Sequence, residues 1–345
     1  MLCLPQRGVN RSRTSHNCDF SVLCDWVEAT ALFKQEETSQ GDLVDELADG
    51  QVYVRDSEAG EEAEERAVNE FGTYQEMAWQ CASMVWEELQ RRESLLTPSP
   101  PFSTSPQTIA PNGDWRDHLA YAFCLYISAS RFYDLDAEGV LRKRGVRDQS
   151  DSKESRDYNA RGRLFERVSE YSLAARGWSV RSIGFSPQQT IDLRTAAYSV
   201  ADFIREPELV NDRVVEELGS SKEAGVDLVC HRGFEDGLRS MPILLVQCAS
   251  GKNYHNKAST PDVDLWGNII PSTSRFVRTL TIPFAYHDRE EFGRVARKVQ
   301  GVLIERLRLV GVGKREEEWL PQCLREDLRN WLEPRVAALV DWDGV

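Results

Sequence analysis

The chain has 345 residues, 41% apolar and 28% charged, with nine Trp and thirteen Phe. That supply of core residues excludes a largely disordered chain and leaves room for two domains of about 100–200 residues each. A net charge of −14 is not the basic footprint of a protein that coats nucleic acid. The charge is unevenly spread, however. Twelve carboxylates and one basic residue, Arg55, lie between Glu36 and Glu65, whereas Arg142, Lys143, Arg144, Arg147, Lys153, Arg156, Arg161, Arg163, Arg167 and Arg176 crowd the stretch before Arg181. Net charge alone therefore decides little.

The first seventeen residues are polar and basic and read as a disordered terminus. They lack the apolar core of a secretory signal, and no window approaches the ~18 apolar residues of a membrane span. Eight Cys stand at irregular intervals without a C-x2-C pair, which predicts free thiols, a cytoplasmic location and no structural zinc. Phe20, Leu23, Val27 and Ala31 fall at helical spacing within Asp19–Phe33, with Ser21 as a cap. A short helix near Asp42–Leu47 and a strand at Val52–Val54 follow. Glu61–Leu95 is helical, with Met77, Cys81, Met84, Val85 and Leu89 on one stripe. The Pro/Ser/Thr stretch Thr97–Thr108 reads as an extended connection, and Trp115–Tyr133 as a second helical run. Residues 18–141 thus read as a mainly helical N-terminal domain, 142–158 as a charged linker and 159–345 as a second domain.

The second domain has a different pattern. Gly162–Arg176 is an amphipathic helix closed by Gly177. Trp178–Phe185 is a strand, while Asp192–Phe203 and Glu206–Leu218 are helical or loop. Gly225–His231 and Ile243–Ala249 are strands, and the run ILLVQCA in the second has the composition of a strand buried on both faces. Thr279–Phe284 is a further strand and Phe292–Leu309 a helix. Glu316–Leu339 is helical, with a break at Pro334. Helices around one mixed central sheet give an α/β plan.

Chemistry concentrates between Gly225 and Lys257. Asp227 lies in one strand, and Gln247, twenty residues later, interrupts the next where an apolar residue would pack better. An unpartnered buried polar group costs about 1–3 kcal/mol, so the Gln needs a reason. A hairpin that sets Asp227 beside Gln247 would let a Mg²⁺ (or Mn²⁺) take oxygen from both, with Glu166 on the preceding helix completing the set. Such a metal polarises a phosphodiester and helps generate the attacking hydroxide, and a nearby lysine stabilises the transition state.

Phe165-Glu166, Gly225-Val226-Asp227 and Val246-Gln247-Cys248 together resemble the PD-(D/E)XK nuclease superfamily, over roughly Gly162 to Tyr286. QCASGKNYHNK and TIPFAY (Thr281–Tyr286), with DWVEATALF at Asp25–Phe33, are also similar to bacterial restriction-endonuclease-like proteins that accompany anti-phage defence. The resemblance implies a restriction-endonuclease-like sheet and metal-dependent cleavage of DNA, with RNA an open alternative. It also implies a helicase, ATPase or sensor protein as a candidate partner, and a homodimer as one option. One position departs from the pattern: the lysine expected two residues after Gln247 is Ala249. Lys257 and Lys252 are the candidates to replace it, Lys257 being favoured because one helical turn after the strand aims it back.

Each residue also has a plainer reading. Glu166 and Glu170, one turn apart, could be a solvated surface pair, and Gln247 a core amide bonded to backbone. Cys230, His231, Cys248 and His255 read as packing residues, since no spacing supports a metal or cysteine-protease set. Tyr254 and His255 either stack on bases or fill core. The Arg142–Arg163 cluster tracks a phosphate backbone or is a charged linker. Ala249 favours an alternative function, a catalytically inactive nuclease-fold subunit that binds nucleic acid or a partner. No Walker, Rossmann, HExxH or GxSxG motif occurs.

Overall fold

The computed structural model describes residues 1–2, 9–11, 16–18, 20–49, 52–54, 74–131, 133, 151–183, 192–218, 225–251 and 253–341. Two compact units form, Met1–Asp157 with Gly313–Glu316 and Arg325–Val345, and Tyr158–Val312 with Glu317–Leu324. Both mix helix and strand. Among the described residues, no helix is long and apolar enough to cross a membrane.

In the first unit, β1 (Val9–Arg11), β2 (His16–Cys18), α1 (Phe20–Lys34), β3 (Thr38–Ser39), α2 (Gln40–Asp49), β4 (Val52–Val54), α3 (Tyr74–Leu95), β5 (Phe102–Thr104), β6 (Thr108–Pro111) and α4 (Leu119–Ser130) follow one another. Every residue of α1 from Val22 to Phe33 is buried, and so is all of α4. Helices apolar all round belong in an interior, yet α1 carries Asp25 and Glu28 into it. Arg92 of α3, itself fully buried, answers both, with Nη1 2.9 Å from Asp25 Oδ1 and 3.0 Å from Glu28 Oε1, while its Nε lies 2.7 Å from Glu88 Oε1. Tyr121 donates to Glu28 Oε2 at 2.6 Å and Ser128 to Asp25 Oδ2. Three helices are thereby tied by one buried guanidinium.

Residues 3–8 and 12–15 of the terminus expected to be disordered lie outside the described ones; Leu2 is buried, its N–H donates to Thr30 Oγ1 at 3.2 Å and its carbonyl accepts from Trp26 Nε1 at 3.1 Å. Helices supply most of the unit's described residues, and two small three-stranded sheets accompany them, β1-β2-β4 and β3-β6-β5. Two expectations for this half are corrected. The Pro-rich connection contains the antiparallel pair β5–β6: its prolines flank short strands, where a missing N–H breaks no ladder. The C-terminal helix Gln322–Val340, expected in the second domain, packs from Arg325 on with the first unit, its Trp331 ring 5.1 Å from Phe123 and 5.6 Å from Tyr126.

The second unit comprises α5 (Asp151–Ala175) from Tyr158 on, β7 (Ser179–Ser182), α6 (Leu193–Phe203), α7 (Asp212–Leu218), β8 (Leu228–His231), β9 (Ile243–Cys248), α8 (Val263–Ile269), β10 (Phe276–Thr281), α9 (Arg289–Val299), β11 (Val302–Ile304) and α10 (Arg306–Val310). The expected charged linker is helical from Asp151, and its residues 142–150 lie outside the described ones. The five-stranded sheet has the order β11-β10-β9-β8-β7; β7, β8 and β9 are antiparallel neighbours, whereas β9, β10 and β11 run parallel. One face buries Val229, Ile243 and Leu245 against Ala197 and Val200 of α6 and Trp266 of α8. α5 ends as expected, with Gly177 and Trp178 N–H groups closing on the carbonyls of Ala174 and Leu173. The helix expected over Phe292–Leu309 is broken instead. Gln300 takes the left-handed conformation (φ 52°) and Val302–Ile304 becomes the edge strand β11, because this apolar, β-branched run extends the parallel sheet beside β10.

Removing the buried guanidinium would take the Arg92 counter-charge from Asp25 and Glu28 and leave Glu88 with Arg91, a change that typically costs about 3–5 kcal/mol. Arg92→Met is expected to lower the unfolding midpoint accordingly in thermal and denaturant melts. A pH effect accompanies it. Burial pushes the Glu88 carboxyl up, but the Arg91 hydrogen bond and the Arg92 charge outweigh it and hold Glu88 below the usual carboxylate range. Its contribution is complete above the unfolded carboxylate pKa and is lost as pH falls through the depressed folded value. Stability measured from pH 7 downward should fall more steeply for the wild type than for Glu88→Gln.

Candidate active site at the end of the central sheet

The β8–β9 register, Leu228 opposite Val246, sets Asp227 opposite Gln247. Backbone bonding continues past β8, with the Asp227 N–H donating to the Val246 carbonyl at 2.9 Å and the Asp227 carbonyl accepting from Ile183 at 2.8 Å. Asp227 is thus fixed between two strands at the open end of the hairpin. Its Oδ2 accepts the Cys248 N–H at 2.6 Å and a hydrogen bond from Gln247 Nε2. The polar interruption of β9 therefore has a side-chain partner rather than only backbone. Gln247 is buried and Asp227 half-buried.

Glu166 reaches the same strand end from α5. Alternation along β9 turns Gln247 toward the α6 and α8 side and Cys248 toward α5. Ser169, one turn after Glu166, is fully buried and sits 3.1 Å from Thr281 Oγ1 of β10, and both hydroxyls hydrogen-bond to the Cys248 sulfur. Burial pushes the Cys248 thiol far up; the charges of Asp227 and Glu166 push it the same way, and the two hydroxyls only partly oppose them. The charges of both carboxylates therefore act on one thiol, which stays protonated and is a poor nucleophile.

Gly225 secures the geometry. It has φ +74°, and a Cβ there would stand 2.0 Å from Thr260 Cγ2 and 3.4 Å from Gln247 Oε1. Only glycine lets the chain enter β8 this close to the loop after β9. The two lysine candidates differ. Lys257 is exposed on the 3₁₀ turn Tyr254–Lys257, and its side chain makes no hydrogen bond or ion pair with a described residue. Lys252 lies outside the described residues. Ala249, at the lysine position of the common pattern, is buried.

The other residues singled out in the sequence pack. Tyr254 is buried, its hydroxyl 2.7 Å from that of Tyr286 and its ring 5.0 Å from Phe284, with the exposed His255 ring against it at 3.8 Å. His231 lies 4.6 Å from the Phe203 ring, and burial lowers its pKa. Burial, reinforced by Glu170, raises the Cys230 thiol, and burial raises Glu170 itself against the pull of Arg167. Ser169, Cys248 and Thr281 are the site residues that sequence reasoning missed. The available signal was a serine on the otherwise apolar stripe of Phe165, Val168 and Leu173.

Glu166, Asp227 and Gln247 carry two carboxylates and an amide, while no group of three His, Cys, Asp or Glu side chains that could hold a metal gathers among the described residues. Oxygen donors of this kind suit Mg²⁺. An amide carries both a donor and an acceptor, so the side chain that satisfies Asp227 through its N–H can offer a cation its oxygen. Comparison with family models, with curated proteins and with solved structures gives no match.

Gly225→Ala combines an unfavourable φ with a steric conflict and is expected to destabilise the second unit by about 1–3 kcal/mol. Gly267→Ala, in α8 where a Cβ meets nothing within 4 Å, is the control and should be neutral or stabilising. Paired thermal melts of the two variants check the difference.

Proposed function

We propose that this chain is a metal-dependent nuclease whose second unit has the restriction-endonuclease-like fold of the PD-(D/E)XK superfamily. The observation that carries the reading is the pairing of Asp227 with Gln247 at the hairpin's open end, with the Glu166 charge acting on the adjoining Cys248. A mixed sheet flanked by helices supports it: a helix precedes three antiparallel strands, and a helical crossover then leads to a parallel strand.

Glu166, Asp227 and Gln247 would hold Mg²⁺ or Mn²⁺, which when bound polarises a phosphodiester and lowers the pKa of a bound water. The chain's own groups prepare that site. The Cys248 N–H and the Gln247 amide fix the Asp227 carboxylate in one orientation. Ser169 and Thr281 bond to the Cys248 thiol, which burial keeps protonated. Lys257, or Lys252, supplies the positive charge that a phosphoryl transition state calls for; Lys257 is exposed and pairs with no side chain among the described residues.

DNA is the proposed substrate, and nuclease effector of a bacterial anti-phage system the proposed role, with a helicase, ATPase or sensor protein as partner and a homodimer as one assembly. Ala249 favours a second reading, a nuclease-fold subunit that binds nucleic acid or a partner without turnover.

Incubation of the purified full chain with plasmid DNA, linear DNA and RNA, in Mg²⁺, Mn²⁺ or EDTA, separates the two. Cleavage that requires metal and falls roughly 10²–10³-fold or more in Asp227→Ala and Glu166→Ala is expected. Comparison of Lys257→Ala with Lys252→Ala then assigns the lysine. Binding without cleavage supports the second reading; neither binding nor cleavage sinks both.

A further inference from the structure

The part of α5 that precedes Glu166 carries a glycine that the fold does not require. Gly162 lies in the helix interior, where glycine costs about 1 kcal/mol relative to alanine. Its φ is not positive, and a Cβ built there meets nothing within 4 Å. Neither conformation nor packing calls for it. At about 100° per residue it sits one turn before Glu166 and about 40° from it around the helix, so it leaves bare the surface leading to the Glu166 carboxylate.

One turn earlier stands Tyr158, whose side chain is 53% exposed. The Arg161 guanidinium lies 4.8 Å from the centre of its ring. The Tyr158 hydroxyl comes within 2.9 Å of the position a Cβ would take on Gly251, four residues beyond Gln247. The ring therefore lies with its hydroxyl end close against Gly251, stacked by a cation and still half open to solvent, between the helix of Glu166 and the loop that leaves the strand of Gln247. Arg161, Arg163 and Arg167 make this stretch of helix basic in a strongly acidic chain. An aromatic ring backed by guanidinium on a basic surface is a stacking platform for a nucleobase.

We propose that Tyr158 and Arg161 seat an unpaired nucleotide next to the cleaved phosphate, with Gly162 left bare so that the strand can cross α5 to Glu166. A base inside a duplex has both faces covered by its neighbours, so the platform selects single-stranded or locally opened nucleic acid. The assignment rests on the nuclease reading for the identity of the site at Glu166.

Fluorescence anisotropy in EDTA tests it, with labelled oligothymidylate, labelled oligouridylate and a blunt duplex as probes for the full chain. The wild type is expected to bind a single strand more tightly than the duplex; the two oligomers distinguish DNA from RNA. Tyr158→Ala should weaken single-strand binding on the order of tenfold or more, whereas Tyr158→Phe retains it and duplex binding changes little. Gly162→Ala should raise the melting temperature, and Gly162→Leu should lower single-strand affinity while the protein stays folded by circular dichroism. Wild-type protein that binds no single strand, folded Tyr158→Ala that binds as the wild type does, or a Gly162→Ala that melts earlier overturns the proposal. Cleavage assays in Mg²⁺ keep the two readings apart. Tyr158-dependent binding without cleavage removes the nuclease and keeps the platform, whereas cleavage with unchanged Tyr158→Ala binding does the reverse.

Discussion

The antiparallel register of β8 and β9 is the constraint from which the candidate site follows. Leu228 opposes Val246, so Asp227 and Gln247 fall opposite one another just where the hairpin opens. A slip of one residue would turn every side chain of one strand to the other face. It would expose Val229 and Leu245, which are fully buried, so the core that enforces the register also enforces the pairing of carboxylate and amide. The close approach at Gly225 then prevents the strand from shifting at the site itself.

The two units treat buried charge in different ways. In the first, Asp25, Glu28 and Glu88 are closed around Arg92 with hydroxyl partners. A buried group of this kind contributes more to specifying one packing than to net stability, since desolvation offsets much of the attraction. In the second unit, Glu166 and Asp227 remain half-buried, and their charges act together on the Cys248 thiol; the role proposed for them is to hold a cation. DWVEATALF, whose acids had no assignable chemistry in the sequence, supplies the first unit's charge cluster.

Much of the second unit was legible because its signals are local. The run ILLVQCA can be buried only as a central strand, and β9 has β8 and β10 on either side. The spacing of Asp227 and Gln247 marked a pair because a lone amide in such a run would be costly. The helix of Glu166 and its stop at Gly177 were also readable from period and cap. Three features were not. β11 is hidden in a helical period because Val302–Ile304 satisfies either pattern until a neighbouring strand offers a ladder. β5 and β6 are too short to outweigh the prolines around them. The C-terminal helix has an apolar stripe that names no partner, and only the Phe123 and Tyr126 rings select it for the first unit.

By itself the sequence determined which segments can be helix or strand, and which polar residues are too costly to bury alone. Both follow from the period of apolar residues and the price of an unpaired polar atom. Only the tertiary structure decided what those residues meet: that Gln247 satisfies Asp227, that Ser169 and Thr281 occupy Cys248, and that Arg92 closes on three acids. Apart from Glu88, one turn before Arg92, these partners lie 20 or more positions apart in the chain. Contacts at that range depend on strand order and register, which no local pattern encodes.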